Sequence, residues 1–301
     1  MKLGTYRADG ALHCGVVTSD EAHVVDLDQL IPLPAGCASL DDVLAIPELW
    51  EQVKSIRSSE LAAHPKRAIS EVDLHSPVIR PSKVIVAGAN SYTHLEEAGL
   101  YTLGVGPKRP MVLSKPPTAV AGPFDSIVYP PQTAQLDYEV ELAVVIGARA
   151  KNVSLEAAIS IVAGYTVAND LSARDIQLSS WEDNTFYRTH FLGKAIDGFC
   201  PMGPWLTTPD SMPDTVGLRS RVNGEIRQNG SLDDLVFGVA ELVSYCSTYM
   251  TLVPGDVILT GTPAGVGYFM NPPGFLRPGD TISCEVDGIG SISNKIVGIE
   301  A

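Results

Sequence analysis

Residues 135–147 read QLDYEVELAVVIG, and the two halves of this stretch ask for different surroundings. Leu142, Val144, Val145 and Ile146 suit a buried strand. Asp137, Glu139 and Glu141 recur at every second position, so in a strand their side chains share one face. Two readings compete for that acidic row. One is a solvated strand face, although like charges side by side are mildly unfavourable there. The other is a hard cation held by oxygen ligands, since same-face residues at i and i+2 have Cα atoms about 6.7 Å apart and flexible Glu side chains can converge on one ion. A further ligand is then needed from elsewhere. Asp170 in GYTVAND is the candidate, because another apolar strand stops there at a bare acid. Carboxylates without His or Cys favour Mg2+, Mn2+ or Ca2+ over Zn2+.

Outward from this stretch, most of the chain reads as strands bounded by Gly, Pro, Asn or Asp. KVIVAGAN, PMVLSKPP, SIVYPP, AGYTVAND, LRSRVNGEI, GDVILTGTPAG and GDTISCEVDGIGSI all have this texture. Clear helices are expected only at Leu155–Ile161 and Leu235–Met250, with shorter helical potential in SYTHLEEAGL. Before residue 75, two or three strands turn at Asp9-Gly10 and Ser19-Asp20, and helical spacing runs from Leu40 to Leu61. Such a pattern excludes regular βαβ alternation and predicts an α+β, mainly β fold. It divides into a small N-terminal α+β accessory domain at 1–75 and a larger domain at 76–301.

Composition narrows the function. The 301 residues carry a net charge of −14, which disfavours nucleic acid and anionic membrane surfaces as partners. No stretch approaches the roughly 18 apolar residues of a membrane span, and no secretory leader is read at MKLGTYRADGALHCG, so a cytoplasmic location is expected. The five cysteines are scattered, with neither zinc-knuckle nor redox-pair spacing, and are expected to be reduced and mostly buried. There is no P-loop, no strand–GxGxxG–helix unit and no G-x-S-x-G elbow.

Other residues carry chemistry. His94 and Glu97 in NSYTHLEE stand at i, i+3, where one helical turn lets a carboxylate orient an imidazole as a general base; a surface His beside solvated acids is the plainer alternative. Arg174 and Gln177 follow Asp170 in DLSARDIQ at positions that share a helical face, and Arg can grip a carboxylate bidentately. Lys194 follows a glycine in GKAIDGFCPMGPW, and Thr260 and Thr262 lie among the glycines of LTGTPAGVG.

Together and in this order, NSYTHLEE, LSKPPTAVAGPFDSIVYP, LDYEVELAVVIG, GYTVANDLSARDIQ, GKAIDGFCPMGPW, VNGEIRQ, LTGTPAGVG and FLRPGDTISCEVDGIGSI resemble the fumarylacetoacetate hydrolase superfamily, from about Ser76 to the C-terminus. The resemblance implies a mixed β-sandwich roll. It implies Glu139, Glu141 and Asp170 as ligands of one Mg2+ or Mn2+ per subunit, with Ca2+ as a substitute. His94 and Glu97 match the family's H-x-x-E dyad and Lys194 its active-site lysine. Arg174, Gln177 and Thr262 match substrate-binding positions. Lys115 matches the Lys of its K-P-P stretch, with a structural or peripheral role. One departure is Asn90-Ser91-Tyr92, where many members have Asn-Tyr. Asp137 lies outside the ligand pattern, either beside the site or solvated. Without an ion, the carboxylates are expected to spread apart or to be partly protonated.

The implied activity is hydrolysis of a C–C bond in a 2,4-dioxo acid of the acylpyruvate or fumarylpyruvate kind. The alternatives on the same site are an oxaloacetate-type decarboxylase and a 2-hydroxyhepta-2,4-diene-1,7-dioate isomerase, and the same enolate chemistry supports keto–enol isomerisation. The implied partner is a small anionic 2-oxo acid, and the implied assembly is a homodimer. Ser179–Phe191, SSWEDNTFYRTHF, is read as a specificity loop.

Overall fold

The structure is a computed structural model that describes residues 1–101, 106–178 and 190–299. The stretch 140–146 is apolar at nearly every position, which suits a strand covered on both faces. Val140–Ile146 is indeed central and buried throughout. It pairs antiparallel with Val162–Asn169 on one side and with Val257–Leu259 on the other. The twelve-stranded sheet continues one way through Cys200–Thr207, Lys2–Ala8, Ala11–Val17, His23–Asp26 and Arg67–Ala68. The other way it continues through Val84–Gly88 to Met111–Lys115.

Even-numbered side chains of the central strand (Val140, Leu142, Val144, Ile146) face a second, five-stranded sheet and the helix Val239–Tyr249. Ala143 and Val145 point the other way, into a core shared with Leu3, Val16, Leu40, Val43, Trp50 and Val53. Period-2 alternation thus sends one strand into two cores. Residues 1–75 therefore join the main sheet through the Lys2–Ala8 and Cys200–Thr207 pairing, and they share its core. The fold is α+β and mainly β.

Three readings need correction. The expected strand through 137–141 is interrupted. Leu136–Asp137 forms a separate two-stranded ladder with Ser172–Ala173, and the long strand starts only at Val140. The helical spacing from Leu40 to Leu61 yields two helices, Leu40–Leu44 and Pro47–Ser55. Pro47 occupies the first turn of the second and keeps Ile46 extended, which ends the first. At Leu155–Ile161 only a 3-10 turn, Ala158–Ile161, is present. Leu155 and Ile159 are exposed there, so no apolar stripe supports a longer helix. Among the described residues no helix is long and apolar enough to cross a membrane. All five cysteines are free thiols and four are buried.

Candidate active site and metal centre

Sheet register builds the acidic centre. Val140 pairs with Asn169, which places Glu139 opposite Asp170, and the Asp170 N–H donates to the Glu139 carbonyl at 2.9 Å. Glu141, one alternation further, stays on the same face. One carboxylate oxygen from each of Glu139, Glu141 and Asp170 lies within 4.8 Å of the other two, and all three residues are buried. The carboxylates stand together, and cations relieve much of the repulsion. Lys194 Nζ contacts Glu139 Oε2 at 2.8 Å and Asp170 Oδ2, and donates to Ser172 Oγ at 2.9 Å. Arg174 Nη2 donates to Glu139 Oε1 at 2.7 Å. Burial opposes the charge of Glu139, but Arg174 and then Lys194 outweigh it and lower its pKa. Among the described residues Glu141 accepts one hydrogen bond, from the Gly261 N–H at 2.6 Å. Burial first, and then Asp170 and Glu139, raise its pKa well above the usual range, which favours the protonated form.

This set fits a divalent cation. Its donors are all carboxylate oxygens, the chemistry preferred by Mg2+, Mn2+ and Ca2+. Among the described residues Asp170 Oδ1, which is buried, accepts no aligned hydrogen bond, leaving a lone-pair direction for an ion. It does lie 2.7 Å from Lys115 Nζ. The Lys115 N–H groups, however, go to the carbonyls of Leu171, Lys194 and Phe199 at 2.8–3.0 Å. Lys115 is fully enclosed and ties three chain segments beneath Asp170.

Two short helices bring the cationic wall. Arg174 and Gln177 open and close the turn Arg174–Gln177, as their spacing anticipates. Arg174 Nη1 donates to Gln177 Oε1 at 2.9 Å and Nε to Asp137 Oδ2 at 2.8 Å. Three of its five N–H groups are thus taken, and among the described residues one on each terminal nitrogen has no hydrogen-bond acceptor. Lys194 ends the helix His190–Lys194. Gly193 explains its entry: a Cβ there would lie 2.5–2.6 Å from Gln177 Cβ, Cα and N, so only glycine lets the two helices approach this closely.

The dyad comes from a third helix, Tyr92–Glu97, capped by Ser91 Oγ accepting the His94 N–H at 3.2 Å. His94 Nδ1 lies 2.6 Å from Glu97 Oε1, and Glu97 Oε2 accepts the Gly265 N–H at 2.8 Å. Its ring packs edge-on against Phe269 at 5.9 Å.

One cavity of about 160 Å3 gathers His94, Glu139, Glu141, Asp170, Arg174, Gln177, Lys194 and Thr262. Glu97 stands behind His94. Thr262 borders the cavity, but its hydroxyl proton goes to the Val140 carbonyl at 2.9 Å, and it accepts from Gln228 Nε2 at 2.6 Å. Toward a substrate Thr262 has only acceptor capacity left. Sequence reasoning missed Gln228, Tyr268 and Phe269. It also missed Asn90, whose side chain clamps Phe237 and the Thr260 carbonyl. These partners are far away in sequence and carry no local spacing signal. The proposed specificity loop lies outside the described residues at 179–189.

A family model described as Fumarylacetoacetate (FAA) hydrolase C-terminal matches residues 83–297. The chain belongs to the fumarylacetoacetate hydrolase family. Human "Oxaloacetate tautomerase FAHD2A, mitochondrial" is 40% identical over 303 residues, covering 99% of this chain and 92% of that protein. "Oxaloacetate tautomerase YisK" of Bacillus subtilis is 44% identical over 233 residues, 76% of this chain and 74% of that protein. Among solved structures, the fumarylacetoacetate hydrolase of Exiguobacterium antarcticum superposes with a TM-score of 0.82 at 35% identity, covering 99% of both chains. Maleylpyruvate hydrolase of Sphingobium sp. SYK-6, in complex with manganese(II) and pyruvate, gives 0.77 at 27% identity over the full length of both.

Proposed function

We propose that this chain is a divalent-metal-dependent enzyme that interconverts the keto and enol forms of oxaloacetate or a closely related small 2-oxo acid. The observation that carries this reading is the convergence on one small cavity of a carboxylate triad, two buried cations and an imidazole held by a carboxylate. A volume of about 160 Å3 is below the roughly 300–1,000 Å3 of pockets for drug-sized ligands, which favours a short acid. The relatives bearing an oxaloacetate tautomerase name support the same substrate class.

Tautomerisation moves one proton from carbon to oxygen and breaks no carbon–carbon bond. Glu139, Glu141 and Asp170 would hold the ion, which supplies Lewis acidity beside the 2-oxo group. Lys194 and Arg174 offset negative charge on the substrate oxygens. Burial works against the charge of both, but Asp170 and Glu139 raise the pKa of Lys194, and Glu139 and Asp137 raise that of Arg174, so both stay protonated. Glu97 occupies His94 Nδ1 and leaves Nε2 to exchange a proton with substrate. His94 Nε2 takes the proton from the carbon next to the oxo group and returns one to the oxygen.

Hydrolysis of an acylpyruvate is the second reading, favoured by the same dyad, which is equally suited to take a proton from water. The test is to follow enol absorbance of oxaloacetate with Mg2+, Mn2+ or EDTA, alongside pyruvate release and acetylpyruvate cleavage. Metal-dependent enol interconversion faster than pyruvate release supports the first reading. Acetylpyruvate cleavage with no effect on the enol overturns it in favour of hydrolysis. A homodimer is part of the proposal, read by light scattering.

A further inference from the structure

Asp137 is wholly buried and stands outside the carboxylate group of Glu139, Glu141 and Asp170, and so far it has entered only as a charge beside Arg174. Its carboxylate accepts four hydrogen bonds. Oδ1 takes the N–H of Gly267 at 2.7 Å and of Tyr138 at 2.9 Å. Oδ2 takes Arg174 Nε at 2.8 Å and the N–H of Tyr268 at 3.0 Å. A carboxylate has about four lone-pair sites, so this one is saturated.

Two of the four donors, Arg174 and Tyr268, belong to residues that line the cavity and come from separate chain segments. Arg174 carries the cationic wall and reaches Glu139 with its Nη2. Gly267–Phe269 is a 3-10 turn whose Tyr268 and Phe269 side chains line the cavity, and Phe269 packs against the His94 ring. The approach is tight: a Cβ at Gly267 would fall 2.7 Å from Asp137 Oδ1 and 2.5 Å from the Gly274 carbonyl oxygen. The ladder Leu136–Asp137 with Ser172–Ala173 holds the carboxylate at this joint, and the Arg174 N–H closes it on the Gln135 carbonyl at 3.0 Å.

We propose that Asp137 is a positioning residue that locks Arg174 and the Tyr268–Phe269 turn together, so that the substrate-gripping guanidinium and the His94 ring keep one fixed spacing across the cavity. It acts through Arg174 on substrate affinity and through Phe269 on proton transfer. Misplacement by about 1 Å can cost about 10²-fold in rate. An acid that only fills the core would instead lower stability and leave the kinetics of the folded protein unchanged.

The test is a pair of double-mutant cycles on the manganese-loaded full chain, Asp137→Asn with Arg174→Gln and Asp137→Asn with Phe269→Leu. Asp137→Asn is isosteric, but its amide cannot accept from all four donors. The expected result is a raised KM and a lowered kcat, about 10²-fold in kcat/KM together. The KM effect should vanish in the Arg174→Gln background and much of the kcat effect in the Phe269→Leu background. Oxalate, a planar dianion, supplies a readout without turnover. Asp137→Asn should weaken its binding about tenfold by calorimetry, an effect lost in Arg174→Gln, while Mn2+ affinity is unchanged. The proposal rests on the tautomerase reading only for its substrate. If the wild type leaves oxaloacetate untouched, that reading fails, and the oxalate cycle still decides the role of Asp137. Additive effects, or folded Asp137→Asn with wild-type KM, kcat and oxalate affinity, overturn it. Should Asp137→Asn fail to fold, Phe269→Leu alone decides: it should lower kcat with KM and oxalate binding unchanged, and an unchanged kcat refutes the coupling.

Discussion

The acidic centre and the His94–Glu97 dyad face one cavity but are held by different physics. Glu139, Glu141 and Asp170 stand where two long antiparallel strands begin and end, and the register of the ladder fixes their spacing. The dyad rides on a six-residue helix near the surface, its two side chains 12% and 17% exposed. So short a helix has little stability of its own. What holds it is a set of contacts with neighbouring loops: Ser91 Oγ to the Thr262 carbonyl, Ala264 N–H to Thr93 Oγ1, and Gly265 N–H to Glu97. One half of the site is part of the sheet, and the other half is docked onto it. Changes in the first should remove metal binding or folding. Changes in the second should spare both and act on turnover.

The largest effect is expected on the sheet side. Glu141→Gln keeps the shape and removes a ligand charge, so Mn2+ binding and turnover should be lost together. EDTA should silence the wild type in the same way, with Mg2+ or Mn2+ restoring it. An active, metal-free Glu141→Gln protein would break the assignment of the acidic centre. On the docked side, His94→Gln should lower kcat by about 10²–10⁴-fold. Mn2+ affinity measured by calorimetry should not change, because His94 is not among the grouped ligands. Unaltered kcat would remove His94 from proton transfer.

Lys115 sharpens the comparison, since it serves the sheet side without touching a substrate. Its ammonium sits under Asp170 and three carbonyls, and burial pushes its pKa down against the pull of Asp170. Lys115→Met leaves those carbonyls without a donor and takes from Asp170 one of its two buried cations, Lys194 remaining on Oδ2. Breaking a buried pair this way costs about 3–5 kcal/mol. Urea unfolding should show that loss; a shift under about 1 kcal/mol, the range of exposed pairs, would mean that the pair matters no more than a surface one.

The difference also sorts what was legible in the sequence. Glu139 and Glu141, His94 and Glu97, and Arg174 and Gln177 are each two or three residues apart, within the reach of a strand's or a helix's period. Such pairs announce themselves. The unions between them do not. Lys115 meets carbonyl partners 56 to 84 residues away, and Gln228 meets Thr262 across 34. Those contacts are set by register and loop closure, which no local spacing encodes. The acidic row shows both sides of this. Its period was readable, but the interruption before Val140 was not, and beyond that interruption Asp137 meets Arg174 and the 267–269 turn rather than joining the carboxylate group of Glu139, Glu141 and Asp170. The broken helix at Pro47 is a different kind of miss, because the proline was in plain view.

The smallest predicted effect probes the docking itself. Ser91 Oγ accepts the His94 N–H and donates to the Thr262 carbonyl, so one hydroxyl both caps the dyad helix and fastens it to the loop that borders the cavity. Ser91→Ala removes both bonds. Loss of an N-cap costs about 1 kcal/mol. If the helix is a docked element, that energy is lost locally. Amide exchange should quicken over residues 92–97 and leave the strands Val140–Ile146 and Val162–Asn169 as protected as before. Turnover should fall by no more than about fivefold, the Boltzmann factor of that energy, with Mn2+ affinity unchanged. If exchange quickened equally in the central strands, the helix would be part of the sheet's cooperative unit, and the distinction between the two halves of the site would fall.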